Sequence, residues 1–458
     1  ICQAKLPTQW KLANVNPIFK GKGNKEEPAS YRPVSMCSCL GKVLEVIVKN
    51  QLQNHIDATY PLSSVQHGFQ KGLSTLTNLL SCEATIAKYM NGRSAFDVIT
   101  FDFKRAFDKV PHSLLIESLS QRHMHKSTLN WISSFLSGRR QQVVFGGVRS
   151  RSTEVTSGVI QGSVLGPQFF SIFIDSLLCK ISKLIPETYA YADDIKFVNG
   201  VTDEDYLISS AAIDIVSTWS AANKMPLSVD KCIVWHYGAN NPNRIYKIDG
   251  QPLPGSADFK DLGILRSIPN MYSKHVAYVA SSNRRLSGLI SRCLTNSDLD
   301  VKWRAFNIYV KPRLMYASSV WSPHYVYEKK AIENVQRRFL KRLPGMASLS
   351  YEQRLLELSI TTLEHARVDA DLLFLFRTIN GLHGVNLNTI GLQLSPNNER
   401  SGCCRLLQPR PITNSVGNLF LFRSARLWNS LPKDILLSSS IKQFKESLHS
   451  MHLSSYMI

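Results

Sequence analysis

The stretch that most constrains this chain is Tyr191-Ala192-Asp193-Asp194, which stands between short apolar runs at residues 188–192 and 195–198. Strand-forming residues on both sides of a tight polar centre read as a β-hairpin with two adjacent carboxylates at its turn. Such a pair sits at the edge of a core, where neighbouring carboxylates repel each other and lose hydration. A divalent cation relieves both penalties. Taken alone, an acidic turn is also what a solvated hairpin tip looks like. A second carboxylate in a similar setting, Asp102, shifts the weight. It interrupts an apolar strand, and by alternation its neighbours Phe101 and Phe103 point the other way. Two-metal phosphoryl transfer needs acidic ligands that hold two Mg²⁺ ions ~3.5–4 Å apart. Mg²⁺ takes few carboxylates plus substrate phosphates. Asp102 and Asp193-Asp194 supply that set if their strands pair antiparallel.

Charge distribution adds a partner. The chain has 458 residues, 44% of them hydrophobic, and a formal net charge of +20. That composition excludes a disordered chain and points to a polyanion. Residues 271–350 carry 14 basic against 4 acidic groups, half of the whole excess. A phosphate-backbone clamp concentrates charge in this way and a general solubility surplus does not. The same region has helical apolar spacing at 273–294, 299–317 and 328–343, with Arg284, Arg285, Arg292, Lys302 and Arg304 on its polar faces. These five are the expected nucleic-acid contacts, with a plain solvated face as the rival reading. Tyr309, Trp321 and Tyr325 are stacking candidates or core.

The nine cysteines form no CxxC pair, so neither a zinc site nor a disulfide framework is expected. No apolar run is long enough for a bilayer, and no signal peptide opens the chain. The expected setting is therefore intracellular, in nucleus or cytoplasm, with no membrane partner. The first residue is Ile1, which reads as a piece of a longer frame.

Several loops carry secondary candidates. Lys20, Lys22 and Arg32 flank a strand and a Gly-containing turn, placing a Lys and an Arg on opposite arms of a hairpin, a triphosphate grip or a solvated basic loop. Gly68 and Gly72 flank Phe69 and Lys71 in a basic loop before Ser74 and Thr75 start a helix, either a phosphate-holding junction or an ordinary one. Gln161-Gly162-Ser163 precedes Gly166-Pro167 and an apolar helix, where glycine permits close backbone approach. Asp108 reads first as a helix cap.

The ordered series PIFKGKG, YRPVS, QHGFQKG, FDFKRAFDKVPH, VIQGSVLGP, YADD, LSVDKC and DLGI, over about residues 10–265, resembles the reverse transcriptase of non-LTR, LINE-type retrotransposons, jockey and CR1-like groups above all. VYEKKAIENVQRRFLKRLPG and FRSARLWNSLPKDI are similar to the region after the polymerase in such elements. The resemblance implies an α+β right-hand polymerase: fingers and palm at 1–267, a basic helical thumb at 268–350 and a helical C-terminal region at 351–458. It implies that Asp102, Asp193 and Asp194 are catalytic, with Asp102, Asp193 and the Phe103 carbonyl as main metal ligands and Asp194 less direct. Phe107 falls at the aromatic gate against a ribose 2′-hydroxyl, and Gln161 and Gly162 contact the nucleotide and template pair. Lys231 matches the lysine that protonates pyrophosphate, and Arg32 and Lys20 match residues that hold the triphosphate. Two Mg²⁺ ions, an RNA template, a DNA primer and dNTPs complete the expectation. The chain departs from the pattern at Ser228, where relatives often carry Asn. It shows neither the endonuclease that precedes the polymerase in full elements nor, at Cys403-Cys404, the spacing of a CCHC knuckle. The alternative is a non-catalytic nucleic-acid-binding relic of such an element. A membrane-surface role finds little support, because the basic helices also carry apolar faces needed for a core.

Overall fold

The computed structural model describes residues 6–21, 23–396 and 404–451. Lys22 and Cys403, singled out above, lie outside the described residues. The chain forms two compact units. One comprises Ile1–Gln70, Val98–Val234 and Asn243–Pro254; the other comprises Lys71–Asp97, Trp235–Pro242 and Gly255–Ile458.

The longer strands that build the first unit's sheets are, in chain order, β1 (Leu12–Phe19), β2 (Tyr31–Met36), β3 (Phe96–Phe101), β4 (Arg140–Phe145), β5 (Thr188–Tyr191), β6 (Asp194–Gly200) and β7 (Ile233–Tyr237). The chain passes from one unit to the other within β3 and within β7. One sheet is built on β2-β1-β4, with β1 antiparallel to β2 and parallel to β4. The other has the order β5-β6-β3-β7, which sets the strand leading to Asp102 beside the strand that starts at Asp194. Helices α1 (Cys39–Thr59), α2 (Ala106–Lys109), α3 (Gly166–Leu184) and α4 (Asp203–Ala222) accompany these sheets. Pro167 sits in the first turn of α3, where its missing N–H costs nothing. Phe169, Phe170 and Phe173 of α3 join Phe101, Phe103, Phe197 and Trp219 in one buried cluster. Thr202 and Asp205 form a capping box at the start of α4, whose acidic first turn suits the helix dipole.

The second unit is mostly helical. The helix Thr75–Asn91 starts at a Ser74–Thr77 capping box and buries every residue from Thr77 to Ala87. A hairpin, Asp258–Asp261 with Ile264–Ser267, precedes the helix Ser273–Cys293. Arg266 is fully buried, with Nη2 3.9 Å from Glu83 and 3.8 Å from Asp261. Burial pushes the Glu83 carboxyl up to about 6 against the pull of Arg266, and the Tyr272 hydroxyl donates to it.

The expected helix at 299–317 is interrupted. Leu299–Ala305 passes into a π turn, Phe306–Val310, before Lys311–Met315. Pro312 has no N–H to donate, so the register widens just ahead of it. Ala317 then ends the run in the left-handed region at φ +47°. Val326–Lys341 lies close to the expected helix at 328–343, and Tyr351–Glu357, Leu363–Ile379, Phe420–Ser430 and Ile441–Ser450 follow it.

Lys302 departs from its expected role. It is buried, and its ammonium donates to the Thr295 carbonyl at 2.9 Å, which spends it on the loop before its own helix. Arg284, Arg285, Arg292 and Arg304 are exposed. Trp321 is core, while Tyr309 and Tyr325 are exposed.

Candidate active site

The site grows from two chain ends of one sheet in the first unit. Beyond β3, residues 102–104 pair with 226–228. Ser228 N–H donates to the Asp102 carbonyl at 2.7 Å, and Lys104 N–H donates to Pro226 at 2.8 Å. Phe103 and Leu227 are thus a pair without mutual hydrogen bonds, and the Phe103 carbonyl is turned away from that neighbour. The same pairing delivers the short turn Val229–Lys231, whose Lys231 Nζ lies 3.5 Å from Asp102 Oδ1. Lys231 is largely exposed and Asp102 half-buried, so this ion pair contributes little to stability. The Asp102 amide donates to the buried Cys232 sulfur at 3.4 Å.

The second end is the β5–β6 hairpin. Tyr191 pairs with Asp194, leaving Ala192-Asp193 as a two-residue turn. Ala192 has φ +58°, the first-position geometry of a type II′ turn, where glycine is the usual occupant. Burial raises the Asp193 carboxyl above the ordinary aspartate range, and the charge of Asp102 raises it further. Asp102 and Asp193 therefore share one electrostatic environment. Asp194 follows at the start of β6 and is exposed. Among the described residues no group of three His, Cys, Asp or Glu side chains is poised as a metal cage.

A third wall is the loop before α3. Val159 N–H donates to Phe107 O at 2.7 Å, and Gln161 Nε2 to Asp108 at 3.3 Å. Asp108 is thus a partner of Gln161 and not a cap, and burial raises its carboxyl. On the loop's other side Ser35 N–H donates to Gln161 O at 2.8 Å. Gly162 has φ +112°, and a Cβ there would stand 2.3 Å from the Ser35 carbonyl. The buried Glu45 accepts from the amides of Val164 and Leu165 at 2.7 and 3.1 Å, satisfying donors at the entrance of α3. Phe107 lies flat on Phe170, centroids 4.5 Å apart, and meets Phe69 edge-on at 6.0 Å.

Lys20 and Arg32 fall on opposite arms of the β1–β2 hairpin, as expected. Both are exposed, and Lys20 Nζ donates to Ala29 O at 2.8 Å. A cavity of about 460 Å³ lined by Lys109, Ser217, Lys224, Leu227 and Asp249 contains none of the candidate carboxylates.

Two residues escape a reading of the sequence. Glu45 looks like one polar residue of an amphipathic helix. Gln66 lies in the Gln-His-Gly-Phe stretch, but its side-chain amide is spent on the acidic turn. Gln66 Oε1 accepts from Ala192 N–H at 2.9 Å and Nε2 donates to Ala192 O at 3.2 Å. The only local signal is a glutamine two residues ahead of Gly68.

The first unit thus combines two carboxylate-bearing strand ends of one sheet, a lysine beside one of them, a Gly-containing loop and a packed aromatic. The chain belongs to the reverse transcriptase (RNA-dependent DNA polymerase) family, whose model matches residues 21–276. It is 26% identical over 360 residues to the probable RNA-directed DNA polymerase from transposon X-element of Drosophila melanogaster, covering 74% of this chain and 38% of that protein. To the RNA-directed DNA polymerase from mobile element jockey of the same species it is 25% identical, with the same coverage. To the retrovirus-related Pol polyprotein from type-1 retrotransposable element R2 of Popillia japonica it is 27% identical, covering 51% of this chain and 33% of the other. The resemblance to non-LTR elements of the jockey type holds in these comparisons. The chain spans well under half the length of these relatives. The family works with divalent metal ions. Among the described residues no helix is long and apolar enough to cross a membrane.

Proposed function

We propose that this chain carries the polymerase of a non-LTR retrotransposon and adds dNTPs to a primer 3′-hydroxyl on an RNA template. The observation that supports this best is the strand order β5-β6-β3-β7, which sets the strand leading to Asp102 beside the hairpin that carries Asp193 and Asp194. Two carboxylates in one field are destabilised until a cation joins them. Their donor set, with the Phe103 carbonyl, is all hard oxygen, which suits Mg²⁺. Two such ions, when bound, activate the primer hydroxyl and neutralise charge at the α-phosphate and the leaving pyrophosphate.

The other residues act on the nucleotide. Arg32 and Lys20 orient the triphosphate. Gly162 brings bare backbone to the nucleotide, and Gln161, tied to Asp108, holds that loop. Phe107, pinned on Phe170, excludes a ribose 2′-hydroxyl. Lys231 carries a proton beside Asp102 and gives it to pyrophosphate as the bond between the α-phosphorus and the bridging oxygen breaks. Asp194 contributes from the outer side of the turn. The region to residue 267 acts as fingers and palm, 268–350 as thumb and 351–458 as the helical C-terminal region. Exposed Arg284, Arg285, Arg292 and Arg304 hold an A-form RNA–DNA duplex through its phosphates. The scattered spacing of the cysteines, without a CxxC pair, supports work in nucleus or cytoplasm.

Replacing Asp193 with Asn tests the reading in a primer-extension assay. Extension is expected to vanish while duplex binding, read by fluorescence anisotropy, persists. Continued extension by D193N refutes the assignment.

A further inference from the structure

The turn that carries Asp193 is not self-supporting. Ala192 holds φ +58° with a Cβ, a conformation that costs about 1–3 kcal/mol and persists only where the surroundings enforce it. The enforcing group comes from another part of the chain. Residues 65–68 run beside β5: His67 N–H donates to Ala190 O at 2.8 Å, and Ala190 N–H donates to Val65 O at 2.9 Å. Between these two anchors Gln66 is 1% exposed. Both ends of its amide converge on Ala192, closing a ring of two hydrogen bonds with that residue's N–H and C=O. Gly68 N–H donates to the same Oε1 at 2.7 Å, which fixes the orientation of the amide. A Cβ on Gly68 would stand 2.3 Å from Ala192 N, so only glycine lets this segment lie so close. A buried glutamine serving the general fold has no need to spend both polar atoms on one strained residue.

We infer that Gln66 is a positioning residue for the catalytic turn, holding Ala192 in its left-handed conformation so that the Asp193 carboxylate is presented beside Asp102. This rests on the polymerase reading above. Glutamine is the side chain that fits, because it offers one acceptor and one donor at the same reach. Methionine keeps the length and offers neither. Glutamate keeps the acceptor, loses the donor to Ala192 O and sets a negative charge beside the two carboxylates.

The test uses the full chain with Gln66→Met and Gln66→Glu, and Gly146→Ala as a control at an open turn. Hydrogen exchange at the Ala192 amide, read without nucleotide or metal, is expected to quicken about tenfold or more in Gln66→Met, the loss of one buried hydrogen bond. In single-nucleotide extension Gln66→Met is expected to lower kcat about 10²-fold, as a misplaced reacting group does, with KM for dNTP changing far less. Gln66→Glu, which keeps the acceptor for the Ala192 N–H, is expected to recover part of the kcat loss and part of the exchange protection, which a role in general packing alone would not restore. Unchanged exchange at Ala192, or a kcat loss that disappears when the assay is cooled below both melting transitions, overturns the inference. If the unsubstituted chain and the Gly146→Ala control both fail to extend while exchange at Ala192 still quickens, the polymerase reading fails and the clamp stands.

Discussion

Gly162→Ala puts the loop before α3, the proposed nucleotide contact, to a quantitative test. The new Cβ would meet the Ser35 carbonyl at 2.3 Å, about 1 Å short of an ordinary C···O contact near 3.3 Å. Ser35 cannot yield easily, because it is in β2 and its own N–H holds Gln161 O at 2.8 Å. The loop must therefore shift by about 1 Å or surrender that bond. A displacement of ~1 Å at a reacting centre costs about 10²-fold in rate, or about 2.7 kcal/mol. Backbone strain at φ +112° adds about 1–3 kcal/mol against the folded state. The assay is single-nucleotide extension over a dNTP titration, paired with thermal melting. Gly146→Ala supplies the comparison: it has φ +58° but nothing within 4 Å of an added Cβ, so it carries strain without collision. Expected are a ~10²-fold fall in kcat/KM for Gly162→Ala and none for Gly146→Ala. If both variants extend alike, close approach is not why glycine stands at position 162.

Other expectations follow from the same geometry. Burial and Asp102 raise the Asp193 carboxyl, so its ionisation costs the fold, and its favourable contribution is lost as pH rises through the folded-state value. Melting in EDTA should therefore show Asp193→Asn equal to the parent at low pH and more stable at neutral pH; a gap that shrinks as pH rises contradicts this sign. Phe107→Ala should raise rNTP use relative to dNTP, with a stability loss of about 0.5–1.5 kcal/mol from the Phe170 stack. An unaltered sugar preference in competition assays would remove Phe107 from the gate. Arg285→Gln should lower the slope of log affinity against log salt by about 1, whereas Lys302→Gln should leave the slope alone and lower the melting temperature, since its ammonium serves Thr295. Equal slopes for the two would mean exposure is not what separates them.

Much of the candidate site is legible from the residues. Strand alternation places Asp102 opposite Phe101 and Phe103, and the apolar runs around Asp193-Asp194 announce a hairpin, because both signals are local. Gln66 is not legible, because its partner Ala192 lies 126 residues away and nothing in a lone glutamine names it. Asp108 looked like a cap because caps are the commonest local use of aspartate; its actual partner, Gln161, is 53 residues on. Lys302 shows the limit of face assignment by charge: a long side chain near a helix start can turn back onto a loop carbonyl. The widened turn at Phe306–Val310 follows from Pro312, but helical spacing runs through it undisturbed.

The way the chain threads its second unit bears on how it is made. On a ribosome, Thr75–Asn91 emerges long before the helices Ser318–Trp321 and Phe420–Ser430 that pack on it. All its residues from Thr77 to Ala87 end up enclosed, and Arg266, which reaches the sulfur of Cys82, arrives 184 positions later. Until then an apolar segment with an acidic side chain at its centre, Glu83, waits without its guanidinium. Closure over such a span is slow and leaves the nascent polypeptide open to aggregation. A translation product stopped just after residue 254 would hold every segment of the first unit and strand this one in water, so premature termination there would yield an insoluble polypeptide and not a smaller working one.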